Sequence, residues 1–143
     1  MNKGFIAAAI LSLSCSSAVF ANQSCDESPL RGYMGNIANE MRSMSTDIKS
    51  GDHDAAAQRV ETLITYFEKA QGETPYKFKV ENLQGESLAV QQAKYEKVVD
   101  DTIAVLENLE GALQSGSSSD VRKWLGEIGV QRNIGHGAFR VNC

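Results

Sequence analysis

Met34 carries a thioether and His136 an imidazole, and each falls on the apolar stripe of its own amphipathic segment. A neutral imidazole is a strong nitrogen donor, and a thioether is a soft ligand that favours ferrous iron and raises its potential. Set on opposite sides of one iron, the two would close both axial positions of a haem and leave no site for oxygen or substrate. That chemistry is electron transfer rather than oxygenation. Each residue also has an ordinary reading. A methionine on such a stripe commonly fills core space, as expected of Met41 and Met44 nearby. A lone histidine on an apolar face is more often packed and hydrogen-bonded than metal-bound.

The two residues stand near opposite ends of the sequence, so only a particular fold brings them together. Ser28-Pro29 reads as a helix N-cap and first helical residue, because the N–H that proline lacks has no partner there. From it Leu30, Met34, Ile37, Met41, Met44 and Ile48 repeat at alternating spacings of four and three, which predicts a helix. Ser50-Gly51-Asp52 ends that helix and caps a second, striped by Ala56, Val60, Leu63, Phe67 and Ala70 and stopped at Gly72. Glu73 to Gly85 is a connector with Pro75 and a short apolar patch at Tyr76 and Phe78. A third helix is expected from about Ser87 to Gln114, with Tyr95, Val99, Thr102, Leu106, Leu109 and Leu113 inward and Thr102 a weak member beside Ile103. Ser115 to Ser119 is a Gly/Ser turn whose last serine is expected to cap a fourth helix. Its stripe is Val121, Leu125, Ile128, Arg132, His136 and Phe139, with Trp124 beside it.

No segment alternates with period two over a useful length, so the class is all-α. Two short connectors and one moderate one make sequential helices antiparallel, which predicts an up-down-up-down four-helix bundle. In that topology the start of the first helix and the end of the fourth share one end. Met34 and His136 then sit near one level, since a helix rises ~1.5 Å per residue. Cys25 and Cys143 fall at the same end, nine residues before Met34 and seven after His136. The other histidine, His53, opens the second helix at the far end. Nineteen residues separate it from Met34, ~28 Å of helix, so the two cannot share an iron.

Lys3, an almost wholly apolar run from Phe5 to Cys15 and Val19-Phe20-Ala21 have the order of a secretory signal peptide cleaved after Ala21. Ser12-Leu13-Ser14-Cys15 resembles a lipoprotein site except that Ser12 replaces the leucine, so export to a bacterial periplasm is the preferred reading. Removing 21 of the 143 residues leaves a 22–143 domain of 122, and with Lys3 gone the net charge moves from −4 to −5. That is one domain, large enough to bury its own core. A mildly acidic chain of this kind has no electrostatic footprint for nucleic acid, and no mature segment has the ~20 apolar residues of a membrane span. Cys15 leaves with the signal. Cys25 and Cys143 remain, an even pair in an oxidising compartment, which predicts an intramolecular disulfide or, failing that, two free thiols. No CxxC or CxxCH occurs, which argues against covalent c-type haem, a thioredoxin-like site or a zinc site.

Leu30-Arg31-Gly32-Tyr33-Met34 with the following Ile37/Met41/Met44 stripe resembles the first helix of the soluble cytochrome b562 family. Arg132-Asn133-Ile134-Gly135-His136 resembles that family's RNxxH ending, and the Thr74-Pro75 turn and the Gly116-to-His136 distance are similar too. The resemblance spans the whole mature chain, with its specific motifs at the two ends. It implies a periplasmic four-helix bundle, an architecture for which cytochrome b562 is a standard example. It also implies one non-covalent b-type haem (iron protoporphyrin IX) per chain, with Met34 and His136 as ligands. Arg132, one turn before His136, would lie beside the haem edge, or else be a solvent-reaching arginine whose stem covers the core. The chain departs from the family pattern in its Cys25/Cys143 pair and its longer connector into the third helix. Gly126, Gly129, Gly135 and Gly137 in the fourth helix either make room for a macrocycle or mark a frayed end.

The function expected is a monomeric, non-enzymatic electron carrier that exchanges electrons with a redox partner protein and neither binds nucleic acid nor inserts in a membrane. Ile37, Phe67, Tyr95, Val99 and Phe139 are expected pocket walls. The alternative from another class is a haem-free periplasmic helical bundle that binds a protein or a stress signal. An enzyme has little support, since no nucleophile–base pair or carboxylate dyad is predicted to share a pocket.

Overall fold

The computed structural model describes residues 28–141. The proposed leader over residues 1–21, Cys25 and Cys143 lie outside the described residues.

Ser28 opens helix α1 (Pro29–Ser50), its hydroxyl accepting the Arg31 N–H at 3.4 Å. Gly51, at φ 80°, ends the helix in the left-handed region that favours glycine. Asp52 then caps α2 (His53–Gln71) by accepting the Ala55 N–H at 3.0 Å. The Glu73–Gly85 connector holds a short helix, α3 (Tyr76–Val80), preceded by buried Pro75. Its single turn turns Phe78 inward to 2 % exposure.

α4 (Gly85–Gln114) begins two residues before the expected Ser87. The reason is local: the Ser87 hydroxyl accepts the Gln84 N–H at 3.3 Å and donates to the Gln84 carbonyl at 2.7 Å. That places Ser87 inside the first turn. α5 (Ser118–Phe139) is capped by Ser117 rather than Ser119. Gly116 at φ 69° completes the turn early, leaving Ser117 extended and its hydroxyl within 3.4 Å of the Asp120 N–H.

Among the described residues there is no strand, and the four long helices form the expected up-down-up-down bundle. α1 packs on α2, α2 on α4, and α4 on α5. The stripes meet in two clusters. The larger fills the middle and far end of the bundle, with Met44, Val60, Leu63, Leu106 and Leu109 fully buried. The smaller, at the end holding the start of α1 and the end of α5, is Phe78, Tyr95 and Val99, against which Leu30, Phe67 and Phe139 pack. Thr102, the polar member of the α4 stripe, is buried with its hydroxyl donating to the Val98 carbonyl at 2.7 Å. The hydroxyl is satisfied by its own helix, so the stripe tolerates it. No described helix is long and apolar enough to cross a membrane.

Candidate functional site

Successive residues of an α-helix are turned by ~100°, so the partners of a few positions orient the rest. On α1, Glu40 and Asp47 share a flank and both reach Arg59 of α2, at 3.2 and 3.4 Å. That flank faces α2. Ile37 and Met44 point to the bundle centre. Met34 and Met41 fall on the remaining flank, toward α5, and are only half-buried.

α5 is oriented in the same way. Gly135 faces α4: a Cβ there would meet Val98 Cγ1 at 3.6 Å. Val121 and Ile128 point to the centre. His136 and Arg132 lie on the other flank, toward α1. His136 is half-buried, while Arg132 is exposed although its position is close to the core-facing direction. Exposure at such positions reflects the one open side of the bundle. The backbones of α1 and α5 do not approach as the other adjacent pairs do.

Met34 and His136 therefore border one seam from facing flanks. Met34 itself packs against the larger cluster, but Leu30, one turn before it, and Phe139, one turn after His136, pack on the same small cluster, so both candidate ligands lie toward the same end. His53 is half-buried at the opposite end, at the start of α2, and is not brought to them. Of the expected pocket walls, Phe67, Tyr95, Val99 and Phe139 gather at this end, whereas Ile37 belongs to the larger cluster. Met41 joins Met34 on the seam, and Gln131 lies on the α4 side of α5.

The electrostatics of His136 suit a donor. Burial lowers its pKa below the ordinary histidine value, and the positive charges of Arg132 and Arg140 lower it further. Protonation is opposed, so the ring keeps a nitrogen lone pair near neutral pH.

Sequence reasoning missed what holds this last turn of α5. The Phe139 ring meets Tyr95 edge-on at 5.4 Å and Phe78 edge-on at 5.9 Å. Lys77 Nζ donates to the Ala138 carbonyl at 2.7 Å, supplying a cation to a helix C-terminus. The Tyr95 hydroxyl donates to the Ala70 carbonyl at 2.6 Å, and burial pushes that phenol well above its ordinary pKa. The helix thus continues to Phe139 across Gly135 and Gly137. The signal for this clamp was the Tyr76/Phe78 patch with its flanking lysines, whose partner lies more than sixty residues away.

Among the described residues no three His, Cys, Asp or Glu side chains gather as metal ligands. A profile of the cytochrome b562 family matches residues 30–140. The chain belongs to that family. No curated protein and no solved structure gives a significant match. The family is one of helical bundles that bind b-type haem and carry electrons without being enzymes. The residues present fit that group. They offer a neutral nitrogen donor and a soft sulfur donor on facing flanks of an incompletely closed seam, with aromatic side chains beneath and arginines at its outer edge.

Proposed function

We propose that this chain is a periplasmic electron-transfer protein that holds one non-covalent b-type haem in the α1/α5 seam, with Met34 and His136 as its axial ligands. The observation that carries the reading is the placement of a half-buried Met34 and a half-buried, proton-resisting His136 on facing flanks at one end of the bundle. Family membership supplies the cofactor class.

Bound there, the haem would supply a one-electron ferric/ferrous couple. The rest of the work falls to the chain. His136 presents a neutral nitrogen because burial and two arginines disfavour its protonated form. Met34 presents sulfur, which shifts the balance toward the reduced metal. Phe139, Tyr95, Phe78 and Val99 exclude water from the inner end of the seam. Arg132, exposed one turn before His136, would pair with a propionate carboxylate. With no CxxCH in the sequence, retention of the macrocycle rests on these contacts alone.

The leader over residues 1–21 exports the chain, and the Cys25–Cys143 bridge fastens the end that carries both ligands. Closing a loop of more than a hundred residues removes about 4–5 kcal/mol of unfolded-chain entropy in the simple chain model. Mass spectrometry of the unreduced protein should show Asn22 as the first residue and the loss of two hydrogens. Two free thiols would exclude the bridge.

The test of the site is a titration of the apoprotein with haemin, followed by its visible spectrum and thermal unfolding. One equivalent should bind, and ligand at a hundred times Kd should add about 2.7 kcal/mol of stability. Met34→Ala and His136→Ala should lose the low-spin spectrum and most of that gain, while His53→Ala keeps both. A protein indifferent to haemin in spectrum and stability would leave a haem-free helical module instead.

A further inference from the structure

The protein is acidic as a whole, yet the face that borders the seam is not. On α1, Arg31, Arg42 and Lys49 fall within ~20° of one another in helical projection, on the flank toward α5. The acids of that helix, Glu40 and Asp47, lie on the other flank, tied to Arg59. α5 repeats the segregation. Arg122, Arg132 and Arg140 lie on or just outside its flank toward α1, while Asp120 and Glu127 lie on the α4 side. Among the described residues no carboxylate falls on either flank. Between the cations stand Ala38, Ser45, Gly129 and Asn133, side chains too small to hold a partner off. The negative charge is elsewhere: the exposed surface of α4 includes Glu86, Glu96, Asp100, Glu107 and, half-buried, Asp101 and Glu110, against Lys94 and Lys97.

From this segregation we infer that the α1/α5 face is the docking surface for an acidic redox partner protein, and that the local charge overrides the net charge of the molecule. The inference rests on the haem reading above, since it is the seam that makes this face the short route for an electron. Opposite potentials steer encounter and fix orientation, and the effect on association rate spans roughly 10- to 1000-fold. At a Debye length of ~8–10 Å the cations of this face are felt at the seam, while charges across the bundle are screened. A membrane surface is the poorer match. Basic membrane-binding helices set bulky apolar side chains beside their cations, and here the exposed Val130 and Ile134 point away from the seam.

The sign of the field can be read with hexacyanoferrate(III), an anionic oxidant. One electron leaves the ferrous haem protein and reduces it to hexacyanoferrate(II), with no proton or bond exchanged. The rate constant should fall roughly tenfold as ionic strength rises from about 10 to 300 mM. Arg42→Glu with Arg122→Glu should slow the low-salt reaction severalfold with the visible spectrum unchanged. Glu96→Lys with Glu107→Lys, an equal change in net charge in the opposite sense on the far side, should not accelerate it comparably. A rate that rises with salt, or that follows net charge in both variants, overturns the inference. Poly-glutamate binding separates this from the haem reading, because it is measured on the folded protein with or without cofactor. Low-salt binding that Arg42→Glu/Arg122→Glu abolishes supports the surface even if no haem is held. Retention by phosphatidylglycerol vesicles without binding to poly-glutamate would assign the face to a membrane and overturn it.

Discussion

The two ends of the bundle are built from the same kind of amphipathic stripe but reach different states. At the far end, Met44, Val60, Leu106, Leu109 and Leu113 are closed on every side, with at most 1 % exposure. At the near end, Leu30, Met34, Phe139 and His136 sit on equally regular stripes and remain half-buried. Helical periodicity says which face turns inward; it does not say whether a neighbour will cover that face. The far end is a core closed over its centre by protein, with Ile48, Trp124 and Leu125 half-buried at its rim. The near end is a core with one wall parted, and its half-covered residues include the two with ligand chemistry, Met34 and His136.

Truncation separates the two ends most sharply. Leu109→Ala opens a cavity in the completed core and should cost about 2–5 kcal/mol in denaturant unfolding, by the same amount with and without haemin. A loss that shrinks when haemin is present would mean that the far end is not independent of the site. At the near end, Tyr95→Phe removes the bond to the Ala70 carbonyl but leaves that oxygen the Glu73 N–H at 3.1 Å. The expected cost is about 1 kcal/mol. A much larger loss would make the tyrosine the keystone of this end.

Gly135→Ala probes the α4/α5 contact. The new methyl would stand 3.6 Å from Val98 Cγ1, ordinary van der Waals contact, and alanine is favoured in a helix by about 0.5–1 kcal/mol. The apoprotein should be stabilised by that amount; destabilisation would show α5 already pressed against α4. The smallest effect is on pH. His136 has a lower pKa folded than unfolded, so between the two values the unfolded chain binds more protons. Its contribution is fully present above the ordinary histidine value of ~6.5 and is lost as pH falls through the folded one. Apoprotein stability should therefore drop on mild acidification, and His136→Gln should flatten that slope.

Much of this was legible in the sequence because helix boundaries here are set by local chemistry. Ser28-Pro29, Gly51-Asp52 and Gly72 mark α1 and α2 where they are found. The bundle follows from connector length. The misplacements are local as well: Ser87 and Ser117 act through side-chain bonds to neighbours, and a run of serines does not disclose which one will be extended. α3 and its clamp on α5 were out of reach, since Lys77 and Phe78 gain their meaning from Ala138 and Phe139 across the fold. The candidate ligands could be named from stripe and spacing. That their seam is open, and that Arg132 points out of it, required the packing of α1 against α5, which no single helix encodes.

The most direct measurement is the reduced-minus-oxidised visible spectrum of the protein isolated from its native compartment, beside Met34→Ala, His136→Ala and His53→Ala isolated in the same way. Sharp α and β bands of a low-spin six-coordinate haem are expected in the wild type and in His53→Ala, and their loss in the other two. A colourless wild type that stays colourless with haemin, or low-spin bands that survive both ligand substitutions, would contradict axial ligation by Met34 and His136.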